Sequence, residues 1–360
     1  MGRRRGSGRF GLTMAGVVAL AGLTPAMAED FTLKGKTVGV IVSGGVGGGL
    51  NAYARTFLPY LSKNLPGNPA MVSQNMPGGG GVQGVQYLYN VGKKDGTSLG
   101  TTPAGPIKEP LMGSRKVNYD LRKFEWVGAL TNEDTVCLVW HTSKIKSLDD
   151  AMKNTVVISA TGAGSNSTLG PLLMNDLIGT KFKPIAGYDG GTSMLALERE
   201  EVDGRCTTLN SVRAAYPRWI SEKLIRVLFR VSDVRAPEYP DVPAVKDLVK
   251  TDADRKALDF FQAVDEIQNP YFLPPGTPKN ILEVYRKAFD ATVKDAEYLA
   301  DATKRRQGVV PSSGAKVEAA IKAMYATEPA VIERVKNGIR TEGRIERIKK
   351  KKKPEGEKKG

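Results

Sequence analysis

One histidine, two cysteines and only 7% aromatic residues leave this 360-residue chain short of the side chains from which most active sites are made. A serine triad needs a histidine base. His141 is the only one, it sits at a predicted strand end, and no G-x-S-x-G elbow surrounds any serine. It reads as a structural, partly exposed histidine. Cys137 and His141 are four apart, on one face of a strand, but zinc wants a cluster of ligands and no third one is evident. No catalytic residue and no metal are therefore expected. Gly79-x-Gly81-x-x-Gly84 follows a predicted strand with dinucleotide-binding spacing. The acid that should hold the ribose is missing from residues 99–105, so no cofactor is expected either. Beyond the N-terminus, no stretch is long and apolar enough to cross a bilayer.

What is present is ordinary in bulk and uneven in distribution. Hydrophobic residues make up 41%, which supports globular cores and argues against wholesale disorder. The length allows two lobes, since single cores stop growing near ~250–300 residues. The formal charge of +15 concentrates at the two ends. Arg3, Arg4, Arg5 and Arg9 border a small-residue apolar stretch over 10–23. Pro25 then leads to Ala26-Met27-Ala28, an A-x-A pattern just before Glu29. This is the layout of a cleaved secretory signal peptide over 1–28. An uncleaved anchor would need a longer span with less Gly and Thr. Residues 340–360 hold ten basic and four acidic residues, a net +6 that, with the four N-terminal arginines, leaves about +5 on the chain between. No aromatics interleave with the run Lys349 to Lys353 for base stacking. Residues 339–360 thus read as a basic, disordered, solvated tail, with no nucleic-acid partner. An exported chain permits a disulfide between Cys137 and Cys206. The sequence leaves that bond and two isolated buried thiols equally open, because their separation in space is not known.

Along the chain a strand, a Gly-rich turn and a helix recur. Thr37–Val42 is a β-branched run of the kind buried on both faces of a parallel sheet, and Leu50, Tyr53, Ala54, Phe57, Leu58 and Leu61 then follow at helical spacing. Further strands are expected at Ala70–Asn75, 98–102, 125–130, 135–141, Val156–Ala160, Phe182–Ala186 and 224–231. Helices are expected after residue 81, after Ser147 as N-cap, over 169–178, around Met194 to Leu197, over 279–295 and over 317–335. Strands alternating with helices predict an α/β protein with mostly parallel sheets flanked on both faces.

Four glycine- and hydroxyl-rich loops stand where strands end and helices begin. They are Gly47-Gly48-Gly49-Leu50-Asn51, Pro77-Gly78-Gly79-Gly80-Gly81, Gly162-Ala163-Gly164-Ser165-Asn166-Ser167 and Gly190-Gly191-Thr192-Ser193. Glycine lets backbone amides approach a ligand closely. A helix N-terminus adds unpaired donors and partial positive charge, so such loops hold a carboxylate without Lys or Arg. Each loop alone is equally well a tight βα turn. As a set they point to an anion held between two lobes, beyond the carboxyl ends of the strands.

The order of motifs resembles the extracytoplasmic solute receptors of tripartite tricarboxylate transporters, the Bug-type receptors, from about residue 36 to 335. Gly47-Gly48-Gly49-Leu50-Asn51-Ala52-Tyr53-Ala54-Arg55 is similar to that family's G-G-G-x-D-x-x-A-R, and Asn75-Met76-Pro77-Gly78-Gly79-Gly80 to its N-x-P-G-A-G. Lys94-Asp95-Gly96-Thr97, Tyr188-Asp189-Gly190-Gly191, Tyr239-Pro240-Asp241-Val242-Pro243 and Leu273-Pro274-Pro275-Gly276-Thr277-Pro278 follow in family order. Asn51, Asp189, Thr207 and Thr208 depart from the usual residues.

The resemblance implies a type II-like, two-lobe periplasmic-binding-protein fold with crossing hinge strands, a carboxylated ligand and delivery to membrane permease subunits. Lobe one is expected over 30–132 plus 233–338, and lobe two over 133–232. The protein is expected to be periplasmic, monomeric and not an enzyme. Backbone at Gly48, Gly49, Gly79, Gly164, Ser165 and Gly190 is expected to receive the ligand. Asn51, Thr101, Thr102, Asn166, Thr207 and Thr208 would add side-chain hydrogen bonds, and Tyr188 would pack on the ligand body. Two other readings stay open: an enzyme acting on a small acid in the same cleft, and an orphan receptor that contacts a membrane sensor.

Overall fold

In a computed structural model the described residues are 1–2, 31–113, 116–132, 135–231, 237–340 and 346–347. The expected signal peptide and most of the tail lie outside them. Along the chain run β1 (Thr37–Val42), α1 (Gly49–Asn64), β2 (Ala70–Asn75), α2 (Val82–Val91), β3 (Ser98–Thr101), α3 (Ala104–Met112), β4 (Glu125–Thr131) and β5 (Thr135–Trp140). Next come α4 (Leu148–Lys153), β6 (Val156–Ala160), α5 (Asn166–Ile178), β7 (Phe182–Ala186), α6 (Gly190–Glu198), β8 (Gly204–Thr208), α7 (Leu209–Ala215), α8 (Pro217–Ser221) and β9 (Ile225–Arg230). The chain continues through α9 (Asp252–Gln262), β10 (Gln268–Leu273), α10 (Lys279–Thr292), α11 (Ala296–Lys304), β11 (Ser312–Ser313), α12 (Gly314–Tyr325), α13 (Pro329–Gly338) and β12 (Glu346–Arg347).

Two mixed six-stranded sheets result. The first has the order β11-β4-β10-β3-β1-β2 and the second β12-β7-β6-β8-β5-β9. Within the first, β1 pairs in parallel with β2 and β3. The apolar runs sit where both faces are covered: β5 and β10 are buried along their whole length, while the edge strand β2 is mostly exposed. The chain passes from the first sheet to the second between β4 and β5, and returns between β9 and β10. Asn210 of α7 braces the first passage, donating through Nδ2 to the Thr131 hydroxyl at 3.3 Å and to the Asn132 carbonyl at 3.1 Å. One apolar cluster runs unbroken from Ile41 and Phe272 to Cys137, Phe182 and Val335, so both sheets share a core. A second cluster fills the space between the first sheet and α1, α10 and α11. A third packs Trp140 and Trp219 with Met194 under α6 to α8.

Several elements differ from expectation, three of them through proline. The helix expected over 317–335 is two helices, because Pro329 cannot continue α12 and instead starts α13 at its first turn. α13 turns back onto α9 and α5, where Arg334 bonds both Asp254 and Asp176. Helix α3 was not expected: Pro106 occupies its first turn, where no intrahelical N–H is needed, and Pro110 lies further in. The central strand β10 was hidden because it contains Pro270 and because Asn269 has a φ of 51°. Within the C-terminal tail, Glu346 and Arg347 pair in parallel with β7, and Glu346 meets Lys183 at 2.6 Å.

The cysteine question resolves in register. Cys137 of β5 stands directly opposite Cys206 of β8 in an antiparallel pair, and the two form a disulfide. It closes a loop of 69 residues of sequence separation. Replacing both cysteines by alanine is expected to lower stability by about 2–5 kcal/mol, read as a reduced urea midpoint with a larger m-value, because the unfolded chain loses its cross-link and exposes more surface.

Candidate functional site

The loops after β1, β2 and β3 meet the loops after β6, β7 and β8 around a cavity of about 140 Å³. The meeting is largely backbone against backbone, with the Asp189 and Ser211 side chains of the second half packed on Gly45 and Gly49. A Cβ at Gly48 would stand 3.3 Å from the Gly190 Cα, and one at Gly45 would stand 2.7 Å from the Asp189 Cβ. At a second place, a Cβ at Gly162 would stand 2.7 Å from the Gly80 nitrogen, and one at Gly105 would stand 3.0 Å from the Ser165 Cα. No side chain fits between the halves at these points. Gly79, Gly80 and Gly81 also take φ of 66°, 72° and 101° in succession, a left-handed run open only to glycine.

Helix starts crowd this cavity. α1 begins after Gly48, α3 after Pro103 and α5 after Ser165, and none of these three positions supplies a side-chain cap. Away from the cavity, α4, α9, α11 and α12 are capped by Ser147, Thr251, Asp295 and Ser313, while α10 and α13 open on Pro278 and Glu328 without a side-chain cap. The uncapped ends of α1, α3 and α5 leave backbone donors and the positive end of each helix dipole turned to the cavity. Two other ends at the wall are already satisfied: Asp189 caps α6 through Gly191 and Thr192, and Thr208 caps α7 through Ser211. The loop before α5 is held rigid by its own hydroxyls. Ser165 Oγ donates to the Gly162 carbonyl at 2.7 Å and contacts Ser167 Oγ at 2.9 Å, while Thr168 Oγ1 donates to the same carbonyl at 2.7 Å.

Of the residues expected at the site, Gly48, Gly49, Ser165, Asn166, Gly190, Thr207 and Thr208 line the cavity. The others do not. Asn51 turns away and donates to Asn75 Oδ1 at 3.2 Å; Asn75 in turn donates to the Gly44 carbonyl at 2.7 Å, so the pair braces the first glycine loop. Thr101 and Thr102 are fully buried behind the wall at the end of β3. Gly79 shapes its turn while Gly80 reaches the cavity, and Gly164 sits behind Ser165 with its carbonyl toward Gly105. Tyr188 packs into the apolar cluster under α6 instead of the cavity.

Several wall residues were missed: Ser43, the start of α3 at Ala104 and Gly105, Gln268 and Asn269 of β10, and Arg205. Arg205 is the signal that could have been read, a lone base inside a strand otherwise made of Gly, Cys and Thr. Burial pushes its guanidinium down to about 10, against the pull of Tyr216 and Asp189. Lys108 of α3 lies behind the wall. Its Nζ donates to Asn166 Oδ1 at 3.0 Å and rests 3.5 Å from the Phe261 ring centre. Burial pushes the Lys108 ammonium down to about 8, with Asp265 pulling it back up. Among the described residues, no cluster of His, Cys, Asp and Glu could hold a metal ion, and no helix is long and apolar enough to cross a membrane.

Two outcomes follow from this geometry. Gly162→Ala is expected to leave the unliganded fold intact but to block closure, since its methyl meets backbone of the other half. An overpacking cost of about 1–3 kcal/mol corresponds to roughly a 5- to 150-fold loss of anion affinity by calorimetry. Below pH 8 Lys108 is charged and favours an anion at the α5 end; above it that charge is gone, while Arg205 keeps its own. Anion affinity is therefore expected to fall several-fold between pH 7 and pH 9, measured by titration calorimetry at both values.

Comparison with known proteins gives this geometry a context. The chain superposes on MatC from Rhodopseudomonas palustris, solved with bound malate, with a TM-score of 0.66 at 19% identity, covering 84% of this chain and 99% of that one. The periplasmic binding protein BugD gives a TM-score of 0.66 at 19% identity, with 87% and 99% covered. Rpa4515 of R. palustris with adipate gives 0.66 at 17% identity, with 83% and 97% covered. A comparison with curated protein sequences finds no match. Residues 54–338 match the family described as tripartite tricarboxylate transporter family receptor. With well over half of the chain inside that match, the chain belongs to the tripartite tricarboxylate transporter receptor family.

Proposed function

We propose that this protein is an exported, monomeric solute receptor of the periplasm. It catches a small organic carboxylate in the cleft, closes over it and hands it to the membrane permease subunits of a tripartite tricarboxylate-type transporter. One observation carries the reading: the uncapped starts of α1, α3 and α5, drawn from both halves of the molecule, turn their amides to one small cavity. Preorganised amides at helix ends are a ready anion site, and each half alone offers only part of it. The malate and adipate held by MatC and Rpa4515 support carboxylate as the ligand class. Closure by glycine contact supports a two-state receptor in which ligand shifts an open–closed equilibrium.

Binding without turnover belongs to the same reading. Hydroxyls of Ser43, Ser165, Ser167 and Ser211 line the wall, but His141 is exposed at the end of β5 and is not part of it. A serine without a neighbouring base is a hydrogen-bonding group and a poor nucleophile.

The decisive measurement is mass spectrometry of the small molecule released when the natively purified protein is denatured, with one-to-one stoichiometry by calorimetry. A carboxylate of a few carbons, recovered unchanged after incubation, is the expected result. Recovery of an uncharged solute, or conversion of the carboxylate by the protein, would overturn the reading.

A further inference from the structure

We propose that Arg205 is a ligand-binding residue whose guanidinium pairs with a second ionised group of the solute, so that the cleft selects short dianions of roughly four to six carbons over monoanions of the same shape. This rests on the reading of the cleft as a carboxylate site and adds to it a charged side chain.

Arg205 lines the cavity and is only 7% exposed. Its Nη1 donates to the Gly190 carbonyl at 3.2 Å. Its Nε is enclosed and has no hydrogen-bond partner. Among the described residues no carboxylate lies within ion-pair distance of it. Asp189, which also lines the cavity, pulls on Arg205 through space, but it pairs with the Gly191 and Thr192 amides through Oδ1 at the start of α6 and not with the guanidinium. A buried charge with no carboxylate paired directly to it is costly and marks a candidate functional group. The uncapped start of α5 stands at Ser165, and Arg205 stands by Gly190; these are the two separate places where the halves touch. A solute with one ionised group fills only one of them. The cavity of about 140 Å³ matches the roughly 150 Å³ known to hold one benzene molecule, which sets the size.

The test titrates wild type, Arg205→Met and Arg205→Lys with succinate, malate and glutarate, each set against its monoamide. Wild type is expected to prefer each diacid over its monoamide by at least tenfold. R205M is expected to lose at least tenfold for the diacids and less than threefold for the monoamides, collapsing that preference. R205K retains the preference at lower affinity, because it keeps the charge and loses the planar fork. The urea midpoint of ligand-free R205M is expected to equal or exceed that of wild type, since an unpaired buried charge is removed. If R205M does not fold, R205K decides alone: a lost diacid preference with retained carboxylate binding overturns the proposal. R205M binding diacids within threefold of wild type overturns it too, and leaves the carboxylate reading standing. Wild type binding none of these acids nor any other carboxylate overturns both.

Discussion

The molecule depends on contacts that only glycine can make. Where the two halves meet, glycine faces backbone: Gly48 against Gly190, Gly162 against Gly80, and Gly105 against Ser165. That proximity lets helix starts from both sheets address the same small volume. Moving any of these pairs apart by the width of a methyl group would carry amide donors out of hydrogen-bonding reach of a shared oxygen. The clustered glycines thus set the closed distance, and the closed distance makes an anion site out of ordinary helix ends.

Electrostatics then completes what the backbone begins. Three uncapped helices offer partial charges that cannot titrate. Behind them stand two full charges whose burial costs free energy, Lys108 next to Asn166 and Arg205 next to Gly190. Lys108 is balanced in part by Asp265 and acts through Asn166. Arg205 is balanced in the same partial way by Tyr216 and Asp189, and no carboxylate among the described residues pairs with it directly. The cavity is therefore more positive than a site built from amides alone.

Much of this architecture was legible in the sequence. β-branched runs broken by glycine marked β1 and β6, and the glycine loops marked where two halves approach. The signal failed where proline has two meanings: Pro106 opens α3 and Pro270 sits inside a central strand, yet both read as breaks. Site assignments failed where position along the chain does not fix side-chain direction. Asn51 adjoins the first glycine loop but points to Asn75, and Thr101 ends a strand at the cleft but is buried behind the wall. Arg205 is not marked by any glycine loop; it reaches the cavity from inside β8, where sequence position alone does not say which face a side chain takes.

The disulfide has a mechanical meaning for that arginine. Cys206 follows Arg205 directly and is tied to Cys137 in β5, the strand by which the chain enters the second sheet. The carbonyl that receives Arg205, at Gly190, belongs to the same half. The guanidinium, its acceptor and the covalent tether therefore swing as one body when the cleft opens. The charge arrives at the solute already aimed, and little side-chain freedom is left to be surrendered on capture.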